Sequence, residues 1–332
     1  TLVSEGCRHC YAARLAATRL RDHPSRAGLA RINAAGEAKF TGEVRFNPQW
    51  LDQPLRWRKP RRVFVNSMSD LFHESVPDRF ILAVFEVMAN AHSLKGHVFQ
   101  VLTKRAERMK HLVSRIRWAH GGPALVTYAS GKSHLLVHRP FFTGDQRVEL
   151  SPSSEVPSDP WKVPPGIWLG VSAEDQKRLD ERVPWLLDTP AAVRFVSCEP
   201  LLGPIDLKAR SASDLCIRCG KGPEARHDHP DGYRTRGLDW VIVGAESGPG
   251  WRGCFPDEIR NLIRQCARAK VPCFVKQVRV WKCRECGACF EEPQAFGHDG
   301  CGTDTPDQDV VPFISKCPDE WRGDLRVREF PA

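Results

Sequence analysis

The sequence predicts an α/β fold, a complete or partial parallel β/α barrel carrying Cys-rich insertions, and three observations predict it. Short apolar, β-branched runs alternate with segments of helical period over most of the 332 residues. Nearly every run ends in polar side chains that packing does not require. Three stretches rich in Pro, Gly, Ser or Cys interrupt the alternation. Repeated βα units imply a parallel sheet, because parallel neighbours need a crossover that is usually a helix.

In order, the strand-like runs are a weak one at 43–46, then 63–66, 98–102, 167–171, 193–197, 240–243 and 273–276. Each has the length of one buried strand. Helical spacing links Ile81, Val84, Phe85 and Met88, then Met109, Leu112, Val113 and Ile116, and later Ile259, Leu262, Ile263 and Cys266. Ser172 with Asp175 forms a capping pair at one further helix start, and Pro256 with Asp257 and Glu258 opens another. The insertions are 118–164, in which ALVTYASGKSHLLVH has the pattern of a hairpin, then 208–237, and the stretch from 282 onward. The expected organisation is a barrel over 1–281, broken by 118–164 and by a zinc-knuckle-like 208–237, followed by a Cys-rich metal-binding segment at 282–332.

The length suits about two domains or one large barrel with insertions. Hydrophobic residues at 41% and charged residues at 27% exclude a wholly disordered chain. A formal charge of +9 favours a polyanionic partner. The richest apolar stretch, 81–91, already contains Glu86, so no membrane span is expected. The first residues, TLVSEGCRHC, lack both Met and an apolar signal and read as a truncated start. Seven of the thirteen Cys fall in Cys-x2-Cys steps, which favours metal over disulfides and a reducing cytoplasm.

In parallel α/β folds the carboxyl ends of the strands share one face, where the active site sits. Asn66, Ser67, Ser69, Asp70 and His73 follow one strand, and Thr103, Lys104 and Arg105 the next. Ser172, Glu174 and Asp175, then Ser197 and Glu199, then Gly244, Glu246 and Ser247, then Lys276 and Gln277 follow the others. Helix capping would account equally well for Asp70, Thr103 and Ser172. It does not account for Glu199 or Lys276.

Cys7 and Cys10 form a Cys-x2-Cys step running directly into a helical segment, whose N-terminus favours thiolate. By itself this pair fits a zinc knuckle, a redox pair or an iron–sulfur cluster equally. Six segments carry more: GCRHCYAARLA, NPQWLDQPLRWRKPRRVFVNSMSDLFHESVPD, FQVLTKRAERM, IWLGVSAEDQ, VRFVSCEPLLGPIDL and DWVIVGAESGPG. Together they resemble a phage and prophage family of unknown function defined by a three-cysteine motif. More remotely they are similar to radical S-adenosylmethionine (SAM) proteins of the spore photoproduct lyase kind. The resemblance covers about residues 1–118 and 166–281. The family motif is Cys-x6-Cys-x2-Cys, and Cys7 and Cys10 match its second and third members, the first falling immediately before Thr1. The resemblance implies a radical SAM type of barrel, three thiolates holding a [4Fe-4S] cluster, and SAM on the fourth iron.

The insertions add further donors. CIRCGKGPEARHDH supplies Cys216, Cys219, His227 and His229, which suit a tetrahedral zinc site. KCRECGACFEEPQAFGHDGCGTD supplies Cys283, Cys286, Cys289, His298 and Cys301, for zinc or an auxiliary cluster. Cys198, Cys266 and Cys273 read as small core residues. The Arg-rich start, with Arg14, Arg19, Arg21, Arg26 and Arg31, is either a solvated face or a phosphate contact.

Two functions are expected, the first implied by the resemblance and the second by the charge and the Cys-rich insertions. The first is a cytoplasmic radical SAM-like enzyme, phage or prophage encoded, acting on a nucleic acid or nucleotide. Asn66, Ser67, Ser69, Asp70, Glu199 and Glu246 would then bind cofactor or substrate, and Lys104, Glu199 and Lys276 would be catalytic. A partner protein encoded nearby is a further expectation. The second is a zinc-stabilised nucleic-acid-binding module without catalysis, which has little use for a buried Glu199 and Lys276 at a barrel mouth.

Overall fold

The structure is a computed structural model that describes residues 3–119, 122–127, 133–134, 163–207, 237–247, 252, 254–283, 289–290, 310–315 and 323–331. Its elements are α1 (Tyr11–Ala17), β1 (Ala30–Ile32), β2 (Ala38–Phe40), α2 (Gln53–Arg56), β3 (Arg62–Val65), α3 (Asp78–Lys95), β4 (Val98–Thr103), α4 (Ala106–Val113), β5 (Ile116–Ala119), β6 (Gly122–Thr127) and β7 (Ser133–His134). Then follow β8 (Ile167–Ser172), α5 (Gln176–Leu187), β9 (Val193–Cys198), β10 (Trp240–Gly244), α6 (Pro256–Ala269), β11 (Cys273–Cys283), β12 (Cys289–Phe290) and β13 (Val310–Ser315).

Six parallel strands take the order β3-β4-β8-β9-β10-β11, flanked by helices; in sequence α3 follows β3, α4 follows β4, α5 follows β8 and α6 follows β10. Among the described residues the order does not close: β3 pairs with β4 alone, while β12 and β13 run antiparallel to β11. This is the topology of a partial β/α barrel. Strands buried on both faces need apolar residues at every position, which is why the central ones stand out as continuous runs in the sequence.

The chain divides into two compact units. The first comprises Thr1, Ala12–Val171 and Glu181–Phe195. Ile81, Phe85 and Met88 of α3, Met109 and Leu112 of α4, and Phe99 and Val101 of β4 are buried in it, as helical spacing and strand character require. Phe195 is fully buried and occupies the space above Gly170, where a Cβ would meet its ring at 2.5 Å. Gly170→Ala is therefore expected to destabilise the first unit by about 2–3 kcal/mol through overpacking. Urea unfolding measures this, and adding Phe195→Leu should recover part of the loss because the two sites share one contact.

The weak run at 43–46 forms no strand. Arg45 turns its guanidinium onto the carbonyls of Pro24 and Ala27, at 3.2 and 2.7 Å, and Phe46 stacks against Phe80 at 5.0 Å, so the segment braces its neighbours instead of joining a sheet. The local hairpin lies upstream, where β1 and β2 pair antiparallel with Ala30 opposite Phe40. A second small sheet orders β5-β6-β7, with Ile116 as its first strand residue.

The second unit comprises Leu2–Tyr11, Ser172–Asp180 and Val196–Ala332. Every residue of β10 is buried, and Ile259, Leu262 and Cys266 form the buried stripe of α6. Cys198, Cys266 and Cys273 are core residues, as their sequence context predicts. Burial pushes the Cys198 thiol up, and the Cys266 thiol beside Cys273 together with burial does the same there. The chain end runs along β11: Val275 N–H donates to the Val327 carbonyl and Glu329 N–H to that of Cys273, both at 2.8 Å. Among the described residues no helix is long and apolar enough to cross a membrane.

Candidate functional site

Cys7 closes a 3-10 turn, Glu5–Cys7, and Cys10 immediately precedes α1. Both thiols are free and only half-buried, unlike the core cysteines. The turn is held from below by a carboxylate. Glu174, fully buried just past β8, accepts the Gly6 N–H at 3.2 Å, and its own carbonyl accepts the Leu202 N–H at 2.8 Å. A Cβ on Gly6 would stand 3.0 to 3.3 Å from the three atoms of that carboxyl group, so any larger residue here would have to push Glu174 aside by a few tenths of an ångström.

A second carboxylate acts through an arginine. Glu246, just past β10 and 4% exposed, takes a bidentate grip on Arg252: Nε at 3.0 Å and Nη2 at 2.6 Å, with the Arg252 backbone N–H adding a third bond at 2.8 Å. Arg252 reaches onward to the Cys turn, with Nη2 2.8 Å from the Glu5 carbonyl and Nη1 3.2 Å from its carboxylate. Burial pushes the Glu246 carboxyl up, but the Arg252 hydrogen bonds outweigh it and hold the group below the usual carboxylate range. The same hydrogen bonds raise Arg252. His9, between the two cysteines, places Nδ1 3.7 Å from Glu246, and that nitrogen is buried without a hydrogen-bond partner.

Lys276 sits where the pairing of β10 with β11 slips: Val243 faces Val275, but Gly244 faces Gln277. The extra residue is Lys276, and such bulges re-aim a side chain beside active sites. Its Nζ lies 2.9 and 3.0 Å from the two carboxylate oxygens of Glu199 at the end of β9. Gln277 is buried beside it, donating to the Ala245 carbonyl while its own carbonyl accepts the Ala245 N–H at 3.1 Å. Ser172 Oγ reaches the Glu199 carbonyl at 3.4 Å. The strand-end residues Ser172, Glu199, Glu246 and Lys276 thus share the second unit with Cys7 and Cys10.

Asn66, Ser67, Ser69, Asp70 and Lys104 belong to the first unit. Asp70 is a clamp. It accepts from Phe72 N–H at 3.0 Å, Thr103 Oγ1 at 2.7 Å, Lys104 N–H at 3.1 Å and Arg105 Nη1 at 3.0 Å, binding the ends of β3 and β4 together. A hydrogen bond from Arg105 holds Glu74 at about 2. Asn66 leaves β3 with a left-handed φ of 56°, and its carbonyl accepts the Ser69 N–H. Of the suggested caps, Thr103 accepts the Arg105 N–H at 2.9 Å but does not cap α4, whose N-cap is Arg105 itself, and at the start of α5 Asp175 accepts the Arg178 N–H at 2.8 Å.

Cys216, Cys219, His227, His229, Cys286, His298 and Cys301 lie outside the described residues. Cys283 ends β11 and Cys289 opens β12, and these strands pair antiparallel with Lys282 opposite Cys289. Among the described residues no group of three His, Cys, Asp or Glu is placed to hold a metal. Cys7 and Cys10 supply two half-buried sulfur donors close together in sequence. Sequence reasoning missed Glu174 as the brace of Gly6, 168 residues away, and Arg252, whose surroundings carry no motif.

No curated protein and no solved structure matches the chain. The family of proteins of unknown function DUF5131 matches residues 1–309, and the chain belongs to that family.

Proposed function

We propose that the second unit carries the cluster turn of a radical SAM-like iron–sulfur enzyme, phage or prophage encoded, that acts on a nucleic acid or nucleotide. The observation that carries this reading is the Cys7–Cys10 turn itself. Two accessible thiols sit at the carboxyl end of parallel strands on a backbone fixed by the buried carboxylates Glu174 and Glu246. In this reading a third thiolate comes from the sequence preceding Thr1. Held by three thiolates, a [4Fe-4S] cluster would leave one iron open to the amino and carboxylate groups of SAM and would supply the electron that cleaves it.

The chain's own residues do the rest. Glu174 and Arg252 orient the turn. Glu246, kept ionised by Arg252, is an acceptor for an ammonium group. Lys276, half-exposed and neutralised by Glu199, can exchange that carboxylate for an anionic group of the substrate. The Cys-rich segments at 216–229 and 283–301 would hold zinc structurally. A binding module without catalysis is less economical, because buried acidic groups such as Glu174 and Glu246 are costly to desolvate and are retained where they do chemical or positioning work.

The test is anaerobic reconstitution of the full-length chain with iron and sulfide. About four irons per chain, broad visible absorption that bleaches with dithionite, and SAM cleavage to 5′-deoxyadenosine are the expected results. A protein that takes up zinc alone at the Cys7–Cys10 turn overturns the reading.

A further inference from the structure

Charge is distributed very unevenly along this chain. Residues 12–62 contain twelve Lys and Arg against four Asp and Glu, so a surplus of eight out of the total +9 sits on fewer than a sixth of the residues. Each of the four acids is already taken by a near neighbour: Asp22 by Arg21, Glu37 by Lys39, Glu43 by Arg45 and Asp52 by Arg56. Arg14, Arg19, Arg31, Arg58 and Lys59 are exposed and meet no acid among the described residues. In the hairpin, Arg31 stands directly opposite Lys39, a like-charge pairing that weakens a two-stranded sheet.

The same segment exposes aromatic rings. Phe40, Phe46 and Trp50 are each 38–40% exposed. The segment is one connected piece of the first unit: His23 stacks on Trp50 at 5.7 Å, Arg45 ties 24–27 to 45, and Thr41 Oγ1 donates to the Gly28 carbonyl at 3.1 Å. Further on, Arg61 lies over the Trp57 ring at 4.8 Å. Unpaired guanidinium groups interleaved with exposed rings are what a single strand of nucleic acid requires, since its phosphates need cations and its unstacked bases need flat faces. Ten of the twelve basic residues are Arg, whose planar fork matches a phosphate better than the point charge of Lys. The helices here, seven and four residues long, are too short to lie as amphipathic anchors in a membrane surface.

We propose that residues 12–62 form a docking surface for single-stranded nucleic acid. The inference supplies a location for the substrate class proposed above but stands on charge and exposure alone, so iron content and nucleic-acid affinity fail separately.

The experiment is fluorescence anisotropy of the full-length protein with a labelled mixed-sequence single-stranded 20-mer, its duplex, and vesicles containing phosphatidylserine. Roughly four to six neutralised phosphates give a slope of log affinity on log salt of about −3 to −4 for the single strand. Arg31→Glu/Arg58→Glu/Lys59→Glu should weaken binding at least about tenfold and flatten that slope by about two. Trp50→Ala should weaken it about tenfold with the slope unchanged, because stacking releases no counterions. Arg264→Glu/Arg268→Glu, two exposed positions on α6, should change affinity by less than about twofold, and circular dichroism should show each variant folded. Preference for the duplex with no effect of Trp50, preference for vesicles over the oligonucleotide, or equal losses in the α6 variant would each overturn the proposal.

Discussion

Replacing Cys10 by alanine in the full-length chain is expected to lower bound iron from about four per chain to near zero, with loss of the visible absorption. The expected effect is large because a cluster lost from one of three thiolates is generally lost outright. Folding should be spared, since Cys10 is half-buried and precedes α1 without packing into the core. Cys7→Ala should behave identically. Cys266→Ala is the contrast: that thiol is 1% exposed on α6, so its loss costs stability by a small cavity yet leaves iron unchanged. Equal iron loss in all three variants would mean that unfolding explains the result. Unchanged iron in Cys10→Ala would remove the turn from the metal chemistry altogether.

The strands that were legible in the sequence are those buried on both faces. All six residues of β8 and all five of β10 are buried, so each reads as a short unbroken apolar run. α3, α4 and α6 were legible by their stripes. What escaped has physical causes. β1 and β2 expose Ile32 and Phe40 and carry Arg31 and Lys39, so they show neither burial nor a clean alternation. β11 runs on to Cys283 because β13 pairs with its second half, a partner that no local pattern announces. At the site, the strand-end positions of Glu199, Glu246 and Lys276 follow from topology alone, and the Cys-x2-Cys step marks the turn. The slip that makes Lys276 the extra residue depends on strand register, and the grip of Arg252 on both Glu246 and Glu5 depends on contacts 6 and 247 residues apart.

Arg252→Ala is the variant expected to cost most in stability near the site. It leaves the Glu246 carboxylate 4% exposed with its cation gone, and it releases the Glu5 carbonyl. Breaking a fully buried pair costs about 3–5 kcal/mol, and the 27% exposure of the Arg252 side chain reduces this to about 2–3 kcal/mol at neutral pH. Acidity separates this effect from simple lost packing. In the native protein Glu246 titrates below its ordinary value of 4.5, so its contribution is complete above that pH and is lost as pH falls through the depressed folded value. Without Arg252, burial becomes the main influence on Glu246, opposed only by His9, and raises its folded value, so the variant should lose less, or gain, over the same range. The two urea midpoints should therefore be far apart at pH 7 and converge towards pH 3. Arg252→Lys, which keeps the charge and loses the fork, should fall between them. Parallel pH profiles for the native protein and Arg252→Ala would show that the pair does not brace the cysteine turn electrostatically, and the stability difference would then belong to the arginine's packing.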